Sequence, residues 1–245
     1  MYHHRSGQVE PGPPERSGRA GAPASSWETS DAAFRVNPYI RWQYDHPERL
    51  LPHPTREALD ALRARVPARG LCLELGSGSG NFLVQLARQH PDWHVLGFEL
   101  RYKRLVKSAL KFERAGLGNA WLVRDQAERF TDYVAPESVD AIHVNFPDPW
   151  PRASQWKKRL VGATLLADAR AALRVGGRFH LRTDFSGYFL HVLGTWRGLS
   201  GLKMCFFSND LEHNRPPGPI LLSEFEQLFR SQRKSVFSLI LEKTA

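Results

Sequence analysis

The stretch Leu71-Cys72-Leu73-Glu74-Leu75-Gly76-Ser77-Gly78-Ser79-Gly80 decides how the chain reads. Its first half is a short apolar run of the kind that forms a strand buried on both faces of a parallel sheet. Its second half is a glycine turn, and a helix is expected over Asn81–Gln89 beyond it. Glycine has no Cβ and reaches positive φ at little cost. A strand–turn–helix of this composition therefore lets backbone approach a ligand closely at the carboxyl end of a sheet.

Outward from this unit, short aliphatic runs alternate with longer amphipathic segments, the pattern of βαβ units around a parallel sheet. Strands are expected at Leu71–Leu75, His94–Glu99, Ala120–Val123, Val139–Val144 and Arg178–Arg182, with further helices at about Lys103–Ala115, Trp156–Leu173 and Gly187–Trp196. Lys203–Phe207 and Val236–Glu242 read as strands flanking a helix at about Leu222–Phe229, which implies a mixed sheet edge. Upstream, Pro52, Pro54 and Pro67 bracket a helix from about Thr55 to Val66 with Thr55 as N-cap. Residues 1–33 are rich in Pro, Gly, Ser and Arg, a composition that buries too little apolar surface to offset chain entropy. A disordered basic tail is expected there, followed by one domain over 34–245.

The 245 residues carry 34 Lys and Arg against 25 Asp and Glu, a formal charge of +9 that favours a polyanionic partner without naming one. Cys72 and Cys205 lie far apart in apolar runs, which excludes a disulfide framework and suggests two core residues in a reducing compartment. The first residues lack an apolar signal core, and no run approaches the roughly 18 apolar residues of a spanning helix. Neither secretion nor membrane insertion is expected. The ten histidines form no H-x-x-x-H or H-E-x-x-H helix, so no metal is assigned.

Glu99 closes the next strand, 23 residues beyond Gly76, where a carboxylate accepts hydrogen bonds from both ribose hydroxyls of an adenosine. A nicotinamide dinucleotide favours G-x-G-x-x-G, whereas the spacing here is G-x-G-x-G with Asn81 at the third-glycine position. Glu74, two residues before the turn, is unhelpful beside a pyrophosphate and suits a cationic ligand such as the methionyl end of S-adenosylmethionine. Asp125 follows the third strand, where it can contact an adenine or cap a helix. After the fourth strand comes Asn145-Phe-Pro-Asp-Pro-Trp-Pro151, a stiff loop that presents Asp148 and Trp150; Phe146, Asp148 and Trp150 each precede a proline and are expected to be extended.

Glu74–Gly80, Glu99, Asp125 and above all Asn145–Pro151 closely resemble the tRNA (guanine-N7)-methyltransferase family of the single-chain bacterial type. The resemblance continues through Arg182-Thr-Asp-Phe-Ser-Gly-Tyr188 and Leu222-Ser-Glu-Phe-Glu-Gln-Leu-Phe229, so it spans roughly Asn37 to the C-terminus. It implies an α/β, Rossmann-like class I methyltransferase fold, a seven-stranded mostly parallel sheet with an antiparallel last strand and helices on both faces. It further implies methyl transfer from S-adenosylmethionine to N7 of a guanine in tRNA, usually position 46 of the variable loop. By resemblance, the cofactor contacts fall on Glu74, Gly76, Gly78, Glu99, Asp125 and Asp148, with Asp148 also the catalytic aspartate. Substrate contacts fall on Arg152, Asp184 and Ser223-Glu224-Phe225-Glu226. The chain departs from the family after Pro151: where Lys-Lys-Arg-His and then Lys-Arg-Arg are usual, it has Arg152-Ala-Ser-Gln155 and then Lys157-Lys-Arg159. Ser223 stands where threonine is usual and keeps the hydroxyl.

Guanine N7 has a lone pair and no proton, so its methylation needs positioning and electrostatics rather than a general base. Asp148 is expected to stabilise the developing purinium, and Asp184 and Glu226 to accept from guanine N1 and N2, which would reject adenine. Arg104, Lys107, Lys111 and Arg114 recur on one face of a helix whose other face, Leu105, Ala109 and Phe112, packs inward. With Arg101, Lys103 and Lys157–Arg159 they form an expected phosphate-contacting surface. Two rival readings stay open: an amino-group methyltransferase on nucleic acid or protein, and a non-catalytic RNA-binding protein that keeps the fold. A cytoplasmic monomer or homodimer is expected.

Overall fold

The computed structural model describes residues 38–46, 50–219 and 221–245; the tail over 1–33 lies outside them. In chain order the elements are α1 (Pro38–Asp45), β1 (Leu50–Pro52), α2 (Arg56–Arg63), β2 (Gly70–Leu75), α3 (Asn81–Gln89), β3 (Trp93–Phe98), α4 (Tyr102–Arg114), β4 (Ala120–Arg124) and β5 (Val139–Asn145). There follow α5 (Ala163–Ala172), β6 (Leu173–Thr183), α6 (Ser186–Arg197), β7 (Leu202–Ser208), α7 (Glu224–Ser231) and β8 (Phe237–Lys243), with 3₁₀ turns at Ala127–Asp132 and Ala153–Lys158. One sheet runs β1-β4-β3-β2-β5-β6-β8-β7. Strand β8 is antiparallel to both β6 and β7, and the remaining pairs are parallel.

The seven expected strands are all present. An eighth, β1, pairs with β4 at the edge; three residues ending in proline are too few to show a period. Along β2 the side chains alternate as the pleat demands. Leu71, Leu73 and Leu75 enter the core shared with α5 and α6, and Cys72 enters the one under α3 and α4. Leu105, Ala109 and Phe112 are fully buried, as the helical period requires. The Thr55 hydroxyl accepts from Ala58 N–H at 3.2 Å, a cap whose loss to alanine costs about 1 kcal/mol.

Two expectations are corrected. The helix read over Trp156–Leu173 is interrupted: a 3₁₀ turn ends at Lys158, Arg159 is extended, and α5 begins only at Ala163. The break has a tertiary cause, since Val161 N–H donates to the Tyr188 hydroxyl at 2.7 Å rather than to a helical carbonyl. Cys205, read as a core residue, is exposed on edge strand β7.

The chain winds from β2 through β3 to β4 on one side, then resumes at β5 on the other side of β2. The strand order reverses between β2 and β5, and open α/β sheets form their ligand crevice at such a reversal, outside the carboxyl ends of the strands.

Candidate active site

At that reversal Gly76, Gly78 and Gly80 all have positive φ, which the glycine-rich composition permits. A Cβ on Gly76 or Gly78 would meet nothing within 4 Å, so both face open space; one on Gly80 would strike Ser108 of α4 at 2.7 Å. Gly76 and Ser77 N–H groups donate to the Phe98 carbonyl at 2.9 and 2.8 Å, and Gly78 N–H donates to Glu99 Oε2 at 3.1 Å. Glu99 Oε1 accepts from the N–H groups of Leu100 and Arg101 at 2.9 and 2.8 Å. These bonds aim the Glu99 carboxylate at the turn. The close helix–strand packing that a third glycine gives in dinucleotide folds is supplied by Gly97 of β3, where a Cβ would lie 2.3 Å from Leu83.

Glu74 is buried. Its Oε1 accepts from Asn145 Nδ2 at 2.9 Å, and its Oε2 has no hydrogen-bond partner among the described residues. Burial pushes this carboxyl up to about 8, against the lowering effects of Asn145 and Arg182. A buried carboxylate oxygen without a donor, on the wall of an open cleft, suits a cationic amino group. Asp125 lies at the end of β4. Burial alone would raise its carboxyl, but hydrogen bonds from Tyr133, Gln126 N–H and His53, with Arg129 at 3.3 Å, hold it below the usual range.

The loop after β5 presents Asp148 exposed at the cleft, beside Glu74, Gly78 and Phe146. Phe146 and Trp150, expected to be extended, instead have φ of 52° and 41°. The following proline disfavours the right-handed helical region and leaves the left-handed one to be set by the surroundings. Phe146 N–H is held by the Arg182 carbonyl at 2.8 Å, and from there the chain must turn off the sheet.

Arg159, read as part of a phosphate surface, is buried. Its Nε donates to the Pro149 carbonyl at 2.9 Å and its Nη2 to that of Trp150 at 3.4 Å, while its guanidinium lies 4.8 and 5.0 Å from the rings of Trp156 and Tyr188. It braces the Asp148 loop from behind. Lys158 covers the Trp150 ring at 4.9 Å, and Arg152 is exposed. On α4, Arg104 reaches Glu99 at 3.6 Å, and Lys111 donates to the Ser79 carbonyl at 2.7 Å and to Asn81 Oδ1, so half of the expected stripe is drawn toward the glycine turn.

The second wall of the cleft is α7. Ser223 caps it by accepting from Glu226 N–H at 3.1 Å, and Glu224 and Phe225 line the cleft with Phe146. Glu226 does not face the cleft. It is fully buried, with one oxygen held by Arg182 at 2.9 Å and the other by Arg230 at 2.6 Å, so it serves as an anchor and is no acceptor for a base. Gln85 of α3 exchanges two hydrogen bonds with the Leu222 backbone, at 2.7 and 3.2 Å, which pins the start of α7. Asp184 is half-buried at the end of β6, and its carboxylate has no partner among the described residues. Glu74, Gly76, Gly78, Asp148 and Ser223–Phe225 thus share one cleft, while Glu99, Asp125, Asp184 and Arg152 do not line it. Asn145, Gln85 and Arg230 were missed as site residues, and Arg159 was given a different role. Asn145 opens the proline loop already singled out, and Arg230 had a local signal in its i,i+4 spacing from Glu226.

This architecture places the protein among the class I methyltransferases. Residues 68–239 match the family described as "Putative methyltransferase". A tRNA (guanine-N(7)-)-methyltransferase of Exiguobacterium sp. is 33% identical over 171 residues, 69% of this chain and 78% of that protein. One from Geobacter metallireducens is 30% identical over 179 residues, 73% of this chain and 84% of that protein. A bifunctional glycosyltransferase/methyltransferase of Fusobacterium nucleatum is 31% identical over 65% of this chain, which spans 24% of that longer protein. Among solved structures, the aminoglycoside resistance methyltransferase NpmB1 has the same fold, with a TM-score of 0.56 at 23% identity over 78% of this chain and 94% of that one. The chain belongs to the tRNA (guanine-N7-)-methyltransferase family.

Its cofactor is S-adenosylmethionine, and the residues present fit that group: the unpartnered Glu74 oxygen suits the amino end, and the open space over Gly76 and Gly78 admits the ligand. Among the described residues no helix is long and apolar enough to cross a membrane, and no three His, Cys, Asp or Glu are grouped to hold a metal ion.

Proposed function

We propose that the protein methylates N7 of a guanine in tRNA, at position 46 of the variable loop, and that it does so in the cytoplasm. The observation that carries this reading is the exposed Asp148, fixed on a braced loop at the mouth of a cleft walled by the Glu74 carboxyl, whose Oε2 has no partner among the described residues. S-adenosylmethionine supplies an electrophilic methyl group on a sulfonium. Glu74 binds its amino end, Glu99 accepts from the ribose hydroxyls, and Asp125 contacts the adenine edge. Because N7 carries no proton, Asp148 acts as a fixed negative charge near the purine as positive charge develops there, not as a base. Phe146 and Phe225 offer ring faces to the incoming guanine. Asp184, at the adjacent strand end and without a partner among the described residues, is the acceptor for the N1 and N2 hydrogens, which adenine cannot match.

The test is incubation with unmodified tRNA and labelled S-adenosylmethionine, followed by aniline cleavage. Scission at a single variable-loop guanine is expected. Methyl incorporation without scission would move the reading to an exocyclic amine.

A further inference from the structure

Next to the cofactor cleft, α3, α4 and α7 enclose a second, open groove of about 400 Å³. Arg88 of α3 and Lys111 and Arg114 of α4 line it with Asn81, Gln85 and Gln227, and among the described residues no carboxylate does. Arg88 and Arg114 are exposed and pair with no acid among the described residues. Lys111 sits in the wall between groove and cleft, donating to Ser79 and Asn81 of the glycine turn. Asn81 lines both spaces, and α7 divides them, with Glu224 and Phe225 toward the cleft and Gln227 toward the groove.

Lys111 already feels the Glu224 carboxylate, but Arg88 and Arg114 have no such partner among the described residues, and two guanidinium groups on one concave surface repel one another unless an anion joins them. The groove is open rather than enclosed, so it admits a chain that passes through rather than a small ion that stays. Forked guanidinium groups and amide donors are the groups that grip phosphodiester oxygens. We propose that this groove seats backbone phosphates of tRNA next to the target guanine. The shared Asn81 wall then sets the distance from the gripped backbone to the base in the cleft. The inference rests on the tRNA reading above and assigns that substrate a second point of attachment.

The experiment is filter binding of unmodified tRNA across a salt series, with wild-type protein and the variants Arg88→Gln and Arg114→Gln, which keep helix propensity and aliphatic bulk. Each variant is expected to weaken tRNA binding about fivefold or more at low salt and to reduce the slope of log K against log salt by about 0.7–0.9. Calorimetry should show S-adenosylmethionine affinity within twofold of wild type, which establishes that the variants are folded. Arg197→Gln, on α6 across the sheet, should leave the slope unchanged. Variants that bind cofactor normally and keep the wild-type slope overturn the groove assignment. A wild-type protein with no tRNA affinity overturns the tRNA reading itself.

Discussion

Glu74 is the residue whose chemistry most constrains how the cofactor binds. Desolvation pushes its carboxyl to about 8, so in the free protein it is neutral through most of the physiological range. A cationic amino group requires the ionised form, so binding below pH 8 must release a proton. Affinity is therefore expected to climb as pH rises toward 8, by up to tenfold per unit. It should turn over beyond that as the ligand's own amino group, with a pKa of about 7.7–8.0, loses its charge. The same raised value has an opposite consequence for stability. Between about 4.5 and 8 the folded state holds a proton that the unfolded chain has lost, so stability falls as pH rises through that window. Titration calorimetry from pH 6 to 8, in buffers of different ionisation heat, should detect the proton. Glu74→Gln should abolish both the release and the climb; a climb that persists in that variant removes the argument.

Two elements fix the walls of the cleft, and each depends on arginine: the buried Arg159 for one, the half-buried Arg182 and Arg230 for the other. In the Asn145–Pro151 loop, Arg159 accounts for carbonyl groups that the prolines leave without ladder partners. Arg159→Lys loses the fork and the sandwich between Trp156 and Tyr188, so turnover at saturating substrates should fall about tenfold as Asp148 loses its position. The salt slope of tRNA binding should stay at the wild-type value. A slope lowered by about 0.7–0.9 would instead make Arg159 a phosphate ligand. On α7, Glu226→Ala leaves the half-buried Arg182 and Arg230 without their counter-charge, which costs up to about 3 kcal/mol and should lower the melting midpoint on the order of 5–10 °C. Glu226→Gln, which keeps one acceptor, should cost less.

These elements also mark where the sequence stops being readable. The strand and turn of β2 were legible because burial on two faces and repeated glycine leave few alternatives. The roles of Arg159 and Glu226 were not. A Lys-Lys-Arg run and a carboxylate on a polar helix look solvent-facing until Tyr188 of α6 and Arg182 of β6 are brought against them, and those partners lie 29 and 44 residues away in the chain. The proline loop was half legible, because its stiffness follows from composition while the left-handed turns at Phe146 and Trp150 depend on the neighbouring strand.

At the scale of the whole molecule, the cleft exists only when distant segments meet: the end of β2, the glycine turn, the loop after β5 and the start of α7. A ligand that spans them therefore binds the folded chain and not the unfolded one, and stabilises by mass action. At a hundredfold excess over its dissociation constant the gain is about 2.7 kcal/mol. For a domain of this length that corresponds to a rise of about 5–10 °C in the melting midpoint. The choice of ligand follows from the floor of the site. Glu74 opposes a pyrophosphate and attracts an ammonium, and Asn81 replaces the third glycine of a dinucleotide turn. A thermal melt with S-adenosylmethionine should accordingly show the full rise, and one with a nicotinamide dinucleotide at equal concentration should show none. Equal shifts with both would falsify the role given to Glu74, because a carboxylate cannot favour a cation and a pyrophosphate at the same position.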